Sequence, residues 1–478
     1  MLNPYENKDK INDLIKKSIN IFSLELQHLA QKDDPFYRAI KQFQPFGRVL
    51  SLNQDQENFN INQERNVQTD KVEGKLDYYF IISPKSNFNL TLGLTDVKQD
   101  FDSSIFQILD DNTTQNFSEN NLVNRVNFHF QDAYAALHYR FITGIFTFDP
   151  GVTLHAYKTN TAQSSGVVSD AYSFFRPDFR VLMKLKESET IRLIYRSTRQ
   201  FTDINNLAEG FIFRNYNSFF QGNPNLEAAL FNAVNLNYQS INIFNFTNIF
   251  ANLSYSRRDD AIQSTTAVQG INSVRSATNS NFPRDSYTAS GRIDKRFKNF
   301  KGGLNVNFNY SDFNNVINNN PTESINFTQR YRVNIATNFR TKPNLEVGYT
   351  YNVRDYTNGD VKSRFFTNSP FARFDAYFLD GFIFEAEYTY NYYRNEVQTL
   401  NEYRFLEAEL SYSKKGSKWE FGVSATNILN DTEINRDSFN QFSVTTNSYI
   451  IQPRYVVFKV QYDLTAIGGG VGSGKSKK

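Results

Sequence analysis

Cysteine is absent from this 478-residue chain, and histidine occurs only four times, at His28, His129, His138 and His155. Without thiols, the chain can have no disulfide framework, no thiolate metal site and no cysteine nucleophile. The histidines are scattered without the spacing of metal ligands, so each is interpreted as an ordinary strand or loop residue. We therefore expect no metal, no cofactor and neither redox nor zinc chemistry.

The chain also lacks a large excess of charge, since 52 Lys and Arg against 49 Asp and Glu give a net charge of +3. A surface that neutralises nucleic-acid phosphates needs a clear excess of basic residues. Nucleic acid is therefore not an expected partner.

Long apolar runs are missing as well, because no segment approaches the roughly 18 to 20 apolar residues of a membrane-spanning helix. Near the start, Glu6, Lys8 and Asp9 stand where a signal peptide would need an apolar segment. Two alternatives follow. Either the chain is cytoplasmic, or it is a mature or truncated piece whose targeting segment lies upstream.

Aromatic residues are abundant, with 46 Phe and 28 Tyr, and they alternate with polar residues rather than clustering. Phe88, Leu90, Leu92 and Leu94 alternate with Asn, Thr and Gly, and segments 303–310, 344–351 and 419–426 repeat the pattern. A period of two is typical of β-strands that have one apolar and one polar face. The sequence therefore predicts an all-β fold of antiparallel strands.

Short turns alternate with long polar stretches along the chain. The short turns carry Pro, Gly, Asn or Ser and fall near 83–86, 142–144, 186–189, 240–242, 298–302, 340–343, 379–381 and 414–417. The long stretches, interpreted as loops, are 102–121, 158–171, 202–225, 257–285, 311–323 and 427–452. Short periplasmic turns and long extracellular loops are typical of a transmembrane up-and-down β-barrel.

The hairpin rhythm also gives a strand count and a domain division. It predicts about 17 strands from Val72 to a last strand near Arg454 to Leu464, and one or two earlier strands bring the total to about 18. We expect an N-terminal segment at 1–71, the barrel at 72–464 and a flexible Gly/Ser/Lys tail at 465–478.

Two motifs carry a family resemblance. Gly222 to Leu226 spells GNPNL and leads into a predicted strand, and Ala425 to Asn430 spells ATNILN just before the last strand. Their sequences and order resemble those of TonB-dependent outer-membrane receptors, especially the Bacteroidota outer-membrane β-barrel family. The chain departs from that pattern at Glu227 and Ala228, where family members often have Pro and Glu.

The resemblance implies a barrel in the bacterial outer membrane that imports a scarce or large ligand of the siderophore, oligosaccharide or peptide class. Such receptors resemble 22-stranded barrels with an N-terminal plug. We therefore expect this chain to supply about 18 of 22 strands, as the C-terminal portion of a receptor without its signal peptide and plug. The implied partners are outer-membrane lipid and the TonB system, reached through the missing N-terminal region, and the resemblance allows a surface lipoprotein as a further partner.

Six charged residues form the first candidate site, because they alternate along three successive strands and would share the polar face: Arg373, Asp375, Glu385, Glu387, Glu407 and Glu409. They could bind a substrate, hold a plug, or form a wall of ion pairs that leaves no lumenal charge unpaired. Close carboxylates such as Glu385 and Glu387 can also serve as general acid and base. Barrels produce that spacing constantly, so we predict no catalytic residues.

The second candidate site is the aromatic loop from Thr202 to Asn225, which offers five aromatic rings and one guanidinium: Phe211, Phe213, Arg214, Tyr216, Phe219 and Phe220. These side chains could stack on sugars or grip an apolar ligand. They could equally pack the loop over the barrel mouth.

One further motif, from Gly469 to Ser476, matches the phosphate-binding pattern G-x-x-x-x-G-K-[ST]. A phosphate loop requires a helix after it, and only Lys477 and Lys478 follow. We interpret it as part of the flexible tail.

Three classes of function remain. The favoured one is the barrel of an energised transporter, for which an upstream plug would be the discriminating feature. The alternatives are a self-sufficient porin-like channel of about 16 to 18 strands and a barrel enzyme or adhesin. No Ser/His/Asp grouping supports an enzyme.

Overall fold

The computed structural model describes residues 20–464, apart from 45, 48, 118–119, 271, 432 and 440–443. The predicted tail at 465–478, including the motif from Gly469 to Ser476, lies outside the described residues. Within them the chain forms 26 β-strands and two 3₁₀ turns, Asn120–Leu122 and Ile204–Asn206. No described helix has the length and apolar character needed to cross a membrane.

Eighteen of the described strands, 8 to 25 residues long, form the wall of the sheet. These 18 wall strands are β1 Asn20–Asp33, β3 Phe59–Ser83, β4 Ser86–Ile108, β6 Val123–Thr143, β7 Phe146–Gln163, β8 Gly166–Lys186, β9 Glu189–Gln200, β12 Ala229–Asn242, β13 Thr247–Asp259, β16 Arg284–Phe297, β17 Phe300–Ile317, β18 Asn320–Thr337, β19 Asn344–Asn358, β20 Val361–Phe378, β21 Phe382–Asn395, β22 Thr399–Tyr412, β23 Trp419–Thr426 and β26 Tyr455–Tyr462.

The remaining strands are short and belong to the connections. They are β2 Phe36–Lys41, β5 Thr114–Asn116, β10 Phe211–Asn215, β11 Ser218–Gln221, β14 Ile262–Gln269, β15 Asn272–Asn279, β24 Glu433–Phe439 and β25 Val444–Ile450.

One hydrogen-bonded sheet takes in 24 of the described strands, while β24 and β25 pair separately. The chain divides into two compact units. In the first unit, antiparallel ladders join β1, β3, β4, β6, β7, β8 and β9 in that order. In the second, they join β19 to β20, β21, β22, β23 and β26. The predicted all-β antiparallel fold is confirmed.

One face of the wall strands exposes large apolar side chains, and we call it the outer face. On β4, Leu90, Leu92 and Leu94 are 40%, 47% and 66% exposed, while Thr91 between them is 5% exposed. Water disfavours such a row of apolar side chains, whereas lipid accommodates it. The alternation predicted from the sequence is therefore present, with its apolar side outward and its polar side on the opposite, inner face.

The apolar band of the first unit ends at a row of cross-strand neighbours. The register pairs Val72 with Asp96, Asp96 with Gln131, and Gln131 with Lys158. On β4 the band thus runs from the turn at Ser83–Ser86 to just before Asp96, about 10 residues, which matches the length needed to span a bilayer.

Beyond this band, the long strands of the first unit continue and bury a core against their inner face. Phe101 and Ile105 of β4 are 0% and 2% exposed, and Ile61 of β3 is 1% exposed. Ile61 and Ile105 cluster with Leu50 of a connecting segment and Phe213 of β10, whereas Phe101 clusters with Ile204 and Ile212. The best-packed region of the unit therefore lies beyond the band, where the connecting segments fold inward.

All six predicted loops contain strand residues, and two of them are mostly the ends of wall strands. Segment 158–171 is mostly strand, because β7 reaches Gln163 and β8 begins at Gly166. Likewise, segment 311–323 forms the ends of β17 and β18 around a turn at 318–319. Outside the bilayer both strand faces can be polar, so the period-two signal fades while backbone pairing continues. The eight predicted short turns fall at or next to strand ends.

These faces predict different tolerance to charge. We expect Leu92→Arg, on the outer face within the apolar band, to destabilise the protein folded in lipid by about 2 to 4 kcal/mol. Thr95→Arg, on the inner face of the same strand opposite Glu73 and Asp132, should cost much less. Denaturant titration of vesicle-inserted protein measures both values, and equal costs would contradict the face assignment.

Candidate functional site

The six charged residues predicted as a site are brought together on the inner face. Register places Arg373 opposite Glu387 and Asp375 opposite Glu385, and it also places Glu385 opposite Glu409 and Glu387 opposite Glu407. With Lys459 of β26 they line a hollow of about 440 Å³. We call these seven residues the acid wall.

Ion pairs neutralise only part of the acid wall. Arg373 Nε lies 2.9 Å from Glu387 Oε2, and Lys459 Nζ lies 2.6 Å from Glu409 Oε2. No described basic side chain pairs with Glu385 or Glu407. Both ion pairs are substantially exposed, so each adds little stability, and the wall keeps a net negative charge.

We call the aromatic loop from Thr202 to Asn225 the inner loop. Most of its aromatic rings are buried in the hydrophobic core. Phe213 and Phe219 are 1% and 0% exposed, and Phe211 and Phe220 are 8% and 6% exposed. The ring of Phe219 lies 4.2 Å from that of Phe46, centroid to centroid. These four rings therefore offer almost no surface to a ligand.

Wall side chains hold the inner loop by its backbone. Gln63 Oε1 accepts a hydrogen bond from Phe213 N at 2.9 Å, and Gln63 Nε2 donates to Phe211 O at 3.1 Å. Asn124 Oδ1 accepts from Gly210 N at 2.7 Å. Gln63 is fully buried and Asn124 is 3% exposed. Because these amides bond both donor and acceptor groups of the loop, they act as a neighbouring strand would.

The first family-like motif closes the inner loop. Gly222 N donates to Ala208 O at 2.7 Å, and Asn223 N donates to Asn206 O at 2.7 Å. A Cβ at position 222 would stand 2.5 Å from the carbonyl oxygen of Asn206. This close approach of two backbone segments explains why glycine is required there.

The second motif shapes the entry to the last strand. Asn427 is 1% exposed with φ of 52°, and its Nδ2 donates to Asp431 O at 2.8 Å and Gln452 O at 3.0 Å. Asn430 Oδ1 accepts from Arg454 N at 3.0 Å. Asparagine tolerates the left-handed conformation and bonds nearby backbone groups, so both asparagines have a structural role.

Two predicted loop residues stay accessible at the tip. Arg214 is exposed and Tyr216 is 57% exposed. The Tyr216 ring lies 5.0 Å from Nζ of the buried Lys41, and Phe43 lies 5.1 Å from the same atom. Burial lowers the pKa of Lys41. Of the six predicted loop residues, these two alone keep surface for a ligand.

A polar pocket on the inner face of the second unit was missed by the sequence analysis. It encloses about 670 Å³. Its lining contains amides, two arginines and aromatic rings but no carboxylate: Asn307, Asn309, Thr328, Arg330, Asn352, Arg354, Phe365, Thr367, Asn391, Tyr393, Asn401, Tyr403 and Ile434. We call it the amide pocket. The available signal was asparagine at alternate inner positions of several strands, which also suits an ordinary polar face.

No group of described residues has the composition of a metal site. Each of the four histidines instead contacts one aspartate. His129 Nε2 lies 2.8 Å from Asp96 Oδ2, and His155 Nδ1 lies 3.0 Å from Asp132 Oδ1.

A protein-family model described as "Outer membrane protein beta-barrel family" matches residues 37–462. No curated protein matches the chain.

Among solved structures, the copper transporter OprC aligns with a TM-score of 0.53 at 12% identity, over 92% of this chain and 62% of OprC. The chain thus spans less than two thirds of OprC, and the likeness shows the fold alone. The siderophore receptor PirA from Pseudomonas aeruginosa aligns with a TM-score of 0.38 at 9% identity, over 86% of this chain and 76% of PirA. The ferric-catecholate import receptor Fiu from K12 E. coli aligns with a TM-score of 0.41 at 13% identity, over 93% of this chain and 72% of Fiu.

The hydrogen bonds from Gln63 to the inner loop can be tested by substitution. Gln63→Leu would remove the partner of the buried Phe213 N–H and leave the Phe211 carbonyl with only the long bond from Asn124 Nδ2 at 3.5 Å, at a cost of about 1 to 3 kcal/mol. We expect faster amide hydrogen exchange across 204–221, while exchange in β19 to β23 stays unchanged. The matched control is Gln99→Leu, which removes one bond between wall strands, from Gln99 Nε2 to Thr69 Oγ1 at 3.1 Å. Unchanged exchange in the loop of the Gln63 variant would refute the anchoring role.

Proposed function

The chain belongs to the outer membrane protein beta-barrel family, and from that premise we propose that it forms the barrel wall of a receptor that imports a scarce or large ligand. It resides in the bacterial outer membrane. In this proposal the energy for import comes from the inner membrane through a TonB-type complex, which contacts receptor segments other than the described wall strands.

The observation that carries the proposal is the inner loop fixed against the inner face by Gln63 and Asn124. A pore for free diffusion needs an open path for water and small solutes. In this proposal the anchored loop with its four buried rings narrows that path, as suits a protein that binds its cargo before moving it.

The acid wall supports the same proposal. An inner surface on which no described basic side chain pairs with Glu385 or Glu407 favours contact with a cationic surface, because unneutralised carboxylates attract basic groups. We propose that the cationic surface belongs to a plug domain, which the acid wall would hold electrostatically. Substrate contact at Arg214 and Tyr216 is the second part of the proposal, since these side chains remain exposed at the loop tip.

A porin-like channel is the alternative, and one observation favours it. The 18 wall strands lie within the range of about 16 to 18 found in porins. In that reading no energised partner is required.

Planar-bilayer recordings on protein extracted from its native outer membrane separate the two functions. We expect no steady conductance, because a receptor keeps its path closed until it is energised. A stable, uniform, porin-sized conductance would contradict the receptor and establish the channel. The control is the same preparation from cells that lack the gene, which should also show no conductance.

A further inference from the structure

We propose that the amide pocket binds an acidic oligosaccharide, with Arg330 and Arg354 holding a carboxylate and the asparagines holding hydroxyl groups. This inference rests on the proposed function in one respect, since it names the class of ligand that the receptor would import. The amide pocket has a volume of about 670 Å³, within the range of about 300 to 1,000 Å³ typical of ligand sites.

The asparagines point to a ligand with many hydroxyl groups. Five asparagines reach the pocket from four strands: Asn307 and Asn309 from β17, Asn352 from β19, Asn391 from β21 and Asn401 from β22. A carboxamide both donates and accepts hydrogen bonds, as a hydroxyl group does. Converging amides therefore complement a polyol better than they complement an apolar ligand or a simple ion.

The aromatic lining suits sugar rings. Phe365 and Tyr393 lie on neighbouring strands with centroids 5.9 Å apart and planes 28° from parallel, and Tyr403 lies on the next strand. Such rings offer flat apolar faces with a polar tip at each tyrosine. A pyranose presents a C–H face of matching character, with hydroxyl groups around its edge.

The two arginines give the pocket its charge preference. No described carboxylate lines the pocket, and neither Arg330 nor Arg354 forms an ion pair with a described residue. Guanidinium groups bind carboxylates through paired, charge-assisted hydrogen bonds. An acidic sugar would supply the missing charge, and a neutral sugar would leave both cations unmatched.

Charge changes sign further along the same strands. On β20, Thr367 lines the amide pocket and Arg373 lines the acid wall, six residues and about 20 Å away. The carboxylates there would repel an acidic ligand that left the pocket in that direction. The inner face of the second unit therefore favours an anion at the amide pocket over one at the acid wall.

Isothermal titration calorimetry on the refolded full chain in detergent measures the affinity of the site for three probes: tetragalacturonate, its fully methyl-esterified form and tetraglutamate. We expect tetragalacturonate to bind and the neutral ester to bind about tenfold more weakly or worse, as charge-assisted hydrogen bonds are lost. Tetraglutamate should bind weakly, because a peptide lacks the ring hydroxyl groups.

Matched variants locate the binding. Arg330→Gln together with Arg354→Gln should abolish the difference between acid and ester. Arg292→Gln is the control, since it removes an arginine that is paired with Asp294 and does not line the pocket. Asn391→Leu should weaken the acid and the ester alike and provides a second test if the double variant folds poorly, which circular dichroism melting reveals.

Three results would overturn the inference: no binding of tetragalacturonate, equal binding by the double arginine variant, or tetraglutamate binding as tightly as the sugar acid. Binding to the isolated chain needs no energy source, so it tests the site alone. If tetragalacturonate binds but cells with a collapsed proton gradient still import it, the receptor proposal fails while the pocket assignment stands.

Discussion

Backbone pairing in lipid is the constraint on which the rest of this structure depends. Lipid offers no hydrogen bonds, so N–H and C=O groups within the bilayer must be satisfied inside the sheet. The wall strands do this through long antiparallel ladders, such as the 14 register pairs from Asn20↔Phe80 to Asp33↔Val67. The ladders fix register, and register sorts side chains into an outer apolar face and an inner polar face. The acid wall and the amide pocket both result from this sorting.

The sequence predicted this sorting well within the bilayer and poorly beyond it. Strand β4 shows why, because Leu90 to Leu94 alternate with small or polar residues, whereas Asp96, Lys98 and Asp100 continue a strand whose outer face is wet. Short turns fix register between neighbouring strands, so the meeting of Arg373 with Glu387 was predictable. Segment 158–171 was not predictable as strand, because neither of its faces needs apolar side chains there.

Long-range contacts limit how much of the candidate sites can be predicted from the sequence. The role of Phe213 depends on Gln63, 150 residues away in sequence, and local sequence leaves packing and ligand contact equally open. The amide pocket draws on six neighbouring strands, each of which adds two side chains that look unremarkable on their strand, and on Ile434 of β24. Only their convergence distinguishes Asn391 or Arg354 from an ordinary residue of a polar face.

The central claim is that alternate residues of one strand face lipid and the inner surface. Because the chain has no native cysteine, single cysteines at Asn89, Leu90, Leu92, Leu94 and Thr95 can each carry one fluorophore. Position 93 is avoided, since a Cβ there would lie 2.1 Å from the Tyr134 ring. In vesicles that contain a lipid-bound nitroxide, we expect quenching at 90, 92 and 94 and little at 89 and 95. Equal quenching at all five positions, or at none, would contradict the account.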